Sequence, residues 1–594
     1  MTTDLRWQTN EALLQRQRVL LKVQADTQRE LLEVNRLLKS RFAPVNMLPV
    51  EILAEILLVV QARIFARPEV NGMARRWITA TSVCSHWRKL VNSTPSFWRS
   101  IAVQRAPELL SLSLERSIPG LPLSISFENA SFPWPSFRPI LQDRAKDVRA
   151  LRFARIDYAF LGQFAGSIFD SPTPALEELY IHYKHDGEDD DFDDHGYYIE
   201  PVLPTVHDNL PALRSLSLRG LEPAADNTFF TRLRRLMMCD TTNFSLAALL
   251  DVLAACTHLE ELDLARSLKD WLEWDRDRLP RRADDGSSRP VVLLPRVRTL
   301  RLAGYYYKEG AILLSYLRFP NATDIKMVSL SGWSDEETLD IANMLPGNPQ
   351  DTFPALNTIT SVEVIVMDEV YEMRMRGLQG ATIFLSLDGE GMCIGQELGA
   401  ACAVLALPGL CRGASITSLH FTGKFTDATE FTDPDKLGQL VASVDPEAQR
   451  WVTLFKEFGS LGTLHITEAG LCRSMWVGLW AASDLFGKQC CGSLCSVILD
   501  GFTSFEGSYS YDGLAKDFES MWKTLNFRAQ SGLRLHALTL DVSISNRSAG
   551  MDDQRDSYLH KFEDLVADLR FFPAHLFGDD WRDDDDYYYR GTVW

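Results

Sequence analysis

The sequence predicts a mixed α/β chain, helical at its N-terminal end and then built from alternating strands and helices. Three observations predict it. A heptad-spaced helix opens the chain, two short amphipathic helices follow, and a six-residue apolar pattern then recurs through most of the remainder. With 594 residues and 46% hydrophobic content, the chain is mostly folded and larger than one compact core normally supports.

Residues 10–41 read as a single helix. Leu13, Leu20, Thr27 and Val34 are spaced by sevens, Leu31 and Leu38 fill the intervening seam, and Gln17 and Gln24 are polar within it. Its charged side chains are basic overall, with Arg16, Arg18, Lys22, Arg29, Arg36, Lys39 and Arg41. The polar seam positions and the short length favour a helix that packs back on the chain over a self-associating coiled coil.

Residues 48–101 read as a small helical docking unit. Pro49 stands where a helix begins, a place where its missing N–H costs nothing. Ile52, Leu53, Ile56, Leu57 and Val60 follow at helical spacing. Val83, Trp87, Leu90 and Val91 repeat the pattern in a second helix, with Arg88 and Lys89 off the stripe. Pro95 helps to stop that helix.

An opening Leu48-Pro49-Val50-Glu51-Ile52, then Val83-Cys84-Ser85-His86-Trp87, then Pro95-Ser96-Phe97-Trp98, close together and in order, resembles an F-box. That is the three-helix module that joins a protein to a cullin-RING ubiquitin ligase through a Skp-type adaptor. The resemblance implies that Leu48, Pro49, Ile52, Leu53 and Ile56 carry the adaptor contact. Val83, Cys84 and Trp87 would complete the module. The segment Arg67-Pro68-Glu69-Val70-Asn71-Gly72 looks like a longer loop than the compact form of the family carries.

After residue 103 the pattern LxxLxL takes over. Copies begin at Val148, Leu176, Leu213, Leu233, Leu259 and Val297, and weaker ones at Ala322, Ile416, Leu461, Leu494 and Leu535. Helix-like stretches such as Ser245–Ala255, Ala311–Leu317 and Ser334–Met344 lie between them. Strand and helix alternating at roughly 20–45-residue spacing resembles a leucine-rich-repeat solenoid, whose inward leucines form one continuous core. The asparagine that usually follows LxL is mostly absent, and residues 365–410 resist phasing. The organisation expected is an N-terminal helix (1–44), an F-box (45–103), a leucine-rich-repeat-like α/β solenoid (104–570) and an acidic, aromatic tail (571–594). The arrangement is similar to that of F-box proteins abundant in mushroom-forming fungi.

The side chains between the inward leucines point to the opposite face of each strand. That places Tyr180, His182, Arg219, Glu261, Asp263, Arg301, His420 and His465 on a candidate cargo-binding face. Ser215, Ser217, Thr299, Ser418 and Thr463 accompany them.

Catalytic signatures are absent from the sequence. It contains no Gly-rich phosphate cradle, no GxSxG elbow and no HExxH pair. The tract His182 to His195 mixes histidines with carboxylates, but its spacing is not that of an EF-hand, and a run of like charge reads as a solvated loop. The tail Asp583-Asp584-Asp585-Asp586-Tyr587-Tyr588-Tyr589 reads the same way. Cys490, Cys491 and Cys495 cluster without the second half that a zinc site needs. The ten cysteines read as reduced, which points to the cytosol or nucleus. A net charge of −19 disfavours nucleic acid, and no apolar run is long enough to span a bilayer.

The function expected is that of a recruiter: a substrate-binding subunit of an SCF-type ligase, with no cofactor and no catalytic residue of its own. The alternative is a scaffold in which the F-box-like helices cap the solenoid. That alternative requires Ile52, Ile56 and Trp87 to be packed away.

Overall fold

The structure is a computed structural model. It describes the chain outside residues 1–9, 66–76, 104–106, 128–138, 157–172, 184–200, 204–209, 225–227, 242–244, 267–290, 331–340, 367–369, 389–398, 424–445, 468–471, 488–490, 501–510, 543–550 and 574–594, and outside the isolated positions 43, 78, 80, 140, 141 and 201. The acidic tract after Tyr183, the long loop after Phe65 and the C-terminal tail from residue 574 lie outside the described residues, while residues 571–573, expected in the tail, belong to a strand. The chain is mixed α/β with a large, mostly parallel sheet, and it divides into two compact units.

The first unit comprises Met1–Gly187 with Asn209–Ala212. It holds helices α1 (Asn10–Phe42), α2 (Val50–Phe65) and α3 (Ser85–Ser93), strand β1 (Ser100–Val103), helix α4 (Pro107–Arg116), and strands β2 (Leu123–Phe127), β3 (Val148–Ile156) and β4 (Glu178–Tyr183). The four strands run parallel in sequence order. Their inward residues, Ile101, Val103, Ile125, Phe127, Leu151, Phe153, Leu179 and Ile181, are all buried. Phe127 and Phe153 stack with centroids 4.9 Å apart.

The helices α2 and α3 close over a small core of Leu53, Leu57, Phe65, Trp77, Leu90, Val91 and Phe97. Several polar contacts hold this core. Buried Gln61 donates to the Phe97 carbonyl at 2.8 Å, and the Trp98 indole donates to the Val91 carbonyl at 2.9 Å. Arg116 lies over the Trp98 ring, and Arg152 of β3 donates to the Phe65 carbonyl. Helices and first strands are thus tied into one body.

Helix α1 departs from the expectation that it packs back on the chain. Every described side chain from Asn10 to Leu38 is exposed, its leucines included.

The second unit comprises Glu188–Asp208 and Leu213–Trp594. Its strands are β5 (Ser215–Arg219), β6 (Arg235–Cys239), β7 (Glu261–Ala265), β8 (Thr299–Tyr306), β9 (Asp324–Leu330), β10 (Ile359–Val366), β11 (Val370–Gly377), β12 (Thr382–Asp388), β13 (Ser418–Thr422), β14 (Thr463–Thr467), β15 (Ser496–Asp500), β16 (Ala537–Val542) and β17 (Asp568–Pro573). Helices α5 (Leu246–Ala255), α6 (Tyr307–Ser315), α7 (Gly399–Leu410), α8 (Pro446–Glu457), α9 (Arg473–Phe486), α10 (Tyr511–Gln530) and α11 (Met551–Glu563) lie between strands. Ser245 caps α5, accepting from the Ala248 N–H.

Strands β5 to β9 pair parallel in order, and so do β13 to β17. The stretch that resisted phasing interrupts this order. β10, β11 and β12 form an antiparallel meander laid in reverse, so that β9 pairs with β12 and β10 pairs with β13. The turn between β11 and β12 carries Gln379 at φ 60° and Gly380 at φ 81°. Two successive positive φ values suit a tight hairpin, because they match the twist of the flanking strands.

Behind the C-terminal strands, α8, α9 and α10 pack side by side over Trp451 and Trp476, both fully buried. Arg528 is 1% exposed and donates to Ser483 Oγ and the Cys491 carbonyl. Arg473 pairs at 2.6 Å with buried Asp517. The helices approach closely at Gly478, where an added Cβ would lie 2.5 Å from Trp451 Cβ and 2.8 Å from the Ala448 carbonyl. Backbone cannot yield as a flexible side chain does. Gly478→Ala is therefore expected to cost roughly 1–3 kcal/mol by overpacking, measured as a lower urea midpoint; an unchanged midpoint would refute this close contact.

Candidate functional site

The residues singled out from sequence lie on the free side of α2 in the first unit and on the open sides of the strands of each unit, taken separately.

The first is the free side of α2. Pro49 precedes the helix, and its carbonyl accepts the Leu53 N–H at 3.0 Å. The apolar run then divides between two faces. Leu53, Leu57 and Gln61, spaced by fours, point into the core. Ile52, Ile56, Val59 and Val60 point outward, with Ile52 49% and Ile56 41% exposed. Met47 and Val50 are also exposed at the start of this segment, as is Val83 just ahead of α3.

The eight residues assigned from the motif thus fall into different settings. Pro49, Ile52, Ile56 and Val83 are exposed and Leu48 is half-buried. Cys84 caps α3, its sulfur accepting the Trp87 N–H at 3.4 Å. Trp87 leans on the core from its edge. Leu53 is fully buried, so it belongs to the core that supports the face and is not itself offered to a partner. The sequence stripe ran these two faces together because adjacent positions on a helix, such as Ile52 and Leu53, lie only about 100° apart.

The second surface is the open side of the sheet. In the first unit, Tyr180 and His182 alternate on β4 with buried Leu179 and Ile181. In the second unit, pairing registers align one residue per strand: Asp263, Arg301, Lys326, Phe384, Arg374, Glu363, His420 and His465. At a strand spacing of about 4.8 Å, the row is about 34 Å long. Glu261 lies beside it and pairs with Arg235 at 2.6 Å. Arg219 pairs with Asp240 at 2.7 Å.

The row has a cationic, aromatic centre. The Lys326 ammonium and the Arg374 guanidinium lie 5.5 and 5.9 Å from the Phe384 ring centroid. Arg374 also pairs with Glu372 at 2.6 Å and Glu363 at 3.6 Å. Burial raises the Asp263 carboxyl above its usual range, an effect that Arg301 and Lys326 oppose.

At one end His420 and His465 stack face to face, with centroids 4.0 Å apart and planes 3° from parallel. His465 Nε2 donates to Asp500 Oδ2 at 2.6 Å, and His420 Nε2 is hydrogen-bonded with Thr467 Oγ1 at 3.0 Å. Glu363 Oε1 stands 3.8 Å from His420 Nδ1. That is outside hydrogen-bond reach but within ion-pair distance if the ring is protonated. The arrangement offers donors, acceptors and a flat aromatic stack, which suits recognition.

Phe384, Arg374 and Glu363 escaped the sequence reading because their strands do not follow the repeat. A signal was present: Tyr371-Glu372-Met373-Arg374-Met375-Arg376 alternates strictly, as a half-buried strand does.

Among the described residues, no group of three or more His, Cys, Asp or Glu could hold a metal ion. Cys239, Cys256 and Cys411 are buried thiols pushed up to about 12. Among the described residues, no helix is long and apolar enough to cross a membrane. No protein-family model matches the chain, and no curated protein is significantly similar to it.

The histidine stack makes a pH prediction. Burial first, then the neighbouring His465, lowers the His420 pKa below 6.5, against the pull of Glu363 and Asp500. The folded chain therefore binds fewer protons at His420 than the unfolded chain does. Stability is unaffected above pH 6.5 and falls as pH drops from 6.5 towards the folded value. The melting temperature of the native chain minus that of His420→Gln should fall as pH drops through this window. A difference that rises would contradict the sign of the shift.

Proposed function

We propose that this chain is a substrate-recruiting F-box subunit of an SCF-type cullin-RING ubiquitin ligase. The exposed face of α2 would bind the Skp-type adaptor, and the sheet of the second unit, read as degenerate leucine-rich repeats, would bind a protein cargo. The observation that carries the reading is the bare apolar face of Ile52, Ile56, Val59 and Val60, on a helix whose other apolar face fills its own core. Contiguous exposed apolar surface on a folded module marks an interaction site. The motifs Leu48-Pro49-Val50-Glu51-Ile52, Val83-Cys84-Ser85-His86-Trp87 and Pro95-Ser96-Phe97-Trp98 give that site its identity as an F-box.

The scaffold reading required Ile52 and Ile56 to be covered by the chain. Both are exposed, and only Trp87 leans inward. Recruitment needs no catalytic group on this chain. It raises the effective concentration of a cargo beside a charged conjugating enzyme, and the chemistry belongs to that enzyme. Ligase assembly would take place in the cytosol or nucleus.

The test is co-expression with the host's Skp-type adaptor, followed by gel filtration. The expected result is stoichiometric co-elution. Ile52→Ala with Ile56→Ala should weaken the contact by roughly 1–3 kcal/mol, as for other apolar interface anchors. Adaptor binding that survives Ile52→Glu with Ile56→Glu, or no co-elution from a well-folded chain, would overturn the reading.

A further inference from the structure

Helix α1 raises a question that adaptor binding does not answer. Its 33 residues include eleven large apolar side chains left in water: Leu13, Leu14, Val19, Leu20, Leu21, Val23, Leu31, Leu32, Val34, Leu37 and Leu38. Leu20 is 60% and Leu31 61% exposed. A soluble surface seldom leaves so much contiguous apolar area bare.

We infer that α1 is a self-association element that pairs with α1 of a second copy as a parallel two-stranded coiled coil. The heptad register supports this. Leu13, Leu20, Thr27 and Val34 take one seam position, and Gln17, Gln24, Leu31 and Leu38 take the other. Leu14 and Leu21 flank the seam on one side, and Val23 and Leu37 on the other. Lys22 and Arg29 fall on the outermost position, where charge stays in water.

Area, the polar seam and the independence of α1 select a second copy as the occupant. The first is area. A 33-residue helix is about 50 Å long and about 10 Å across, so covering half of it hides roughly 750 Å². That is close to the ~800 Å² per partner of a stable, specific interface. The second is the polar seam. Gln17, Gln24 and Thr27 would be stranded in a purely apolar groove, at the cost of burying unpaired polar groups. In a parallel, in-register dimer each meets its own copy and the amides can bond across the seam. A polar seam residue is also a recognised means of fixing coiled-coil register and strand number. The third is independence. Among its described side chains, α1 buries none against its own unit.

A dimer of this kind would carry two α2 faces and two cargo rows, so two contacts made by one partner would reinforce each other. The inference does not depend on the ligase reading, and its test does not involve the adaptor.

Sedimentation of the purified full-length chain should give a dimer mass. Leu20→Asp with Leu31→Asp should give a monomer at the same concentration with an unchanged melting temperature, because neither residue supports the fold. Gln17→Cys, placed at the seam, should form an intermolecular disulfide under mild oxidation, since a parallel dimer sets the two Gln17 positions opposite each other. A wild-type monomer at all concentrations would overturn the inference, including one that instead floats with vesicles of anionic phospholipid. So would a dimer that survives Leu20→Asp with Leu31→Asp. Failure of Gln17→Cys to cross-link would overturn the parallel register.

Discussion

In-register pairing of short strands is the constraint on which the rest of the molecule depends. Side chains alternate with period two, so a slip of one residue would turn every inward leucine outward. In the second unit the paired positions Leu216, Leu236, Leu262, Leu300 and Ile325 are all buried, and the same holds for Leu419, Leu464, Val497 and Leu538. A single strand of five residues could not hide such a face alone; each does so against its neighbours. The polar side chains between the leucines are locked by the same register. The row from Asp263 to His465 is the outward copy of the buried ladder, which explains how residues two hundred positions apart in sequence form one line.

The meander formed by β10, β11 and β12 shows that register, and not chain order, is what is kept. Antiparallel strands can be joined by a tight turn, whereas parallel ones need a longer crossover. The chain therefore doubles back twice over Ile359–Asp388 and still offers Ile383, Met375 and Val362 to the interior in line with their neighbours. Phe384, Arg374 and Glu363 take the corresponding outward places. The cationic, aromatic centre of the row exists because the inserted strands obey the register of the ones they separate.

These features also mark the limit of what was legible from sequence. The α/β class and the strands starting near Val148, Leu176, Leu213, Leu233, Leu259 and Val297 were legible because their apolar pattern repeats locally. The order of strands through β10–β12 was not, because reversal of a meander leaves no mark on the pattern of any one strand. The outward positions of Tyr180, His182, Arg219, Glu261, Asp263, Arg301, His420 and His465 followed from alternation alone. Their partners did not, since the contacts of His420 with Thr467 and of His465 with Asp500 join strands whose register is a tertiary fact. In the helical module, period 3.6 located α2 but could not say that Leu53 and Leu57 face inward while Ile52 and Ile56 face out. That division is made by what lies beneath, chiefly Phe97, Leu90 and the carbonyl that Gln61 reaches. The bare surface of α1 was hidden for the same reason: a heptad states that a partner exists, not which chain supplies it.

The character of the polar row fits the proposed division of labour. Its charges change sign twice along the line, negative at Asp263, positive at Arg301, Lys326 and Arg374, negative again at Glu363. Neighbouring positions are about 4.8 Å apart, within the screening length of about 8 Å at physiological salt, so their fields overlap at a distance and only a partner in direct contact meets each charge singly. A surface of alternating sign contributes little net attraction, but a partner out of register meets like charges, and such mismatches are a strong source of discrimination. On the proposed reading, affinity for a cargo would come from elsewhere: from the Phe384 platform, from the stacked histidines and, if the chain pairs as inferred, from two copies acting together. A receptor built in this way would hold its cargo selectively and only moderately tightly, which suits a component whose task is to present a protein to another enzyme and then release it.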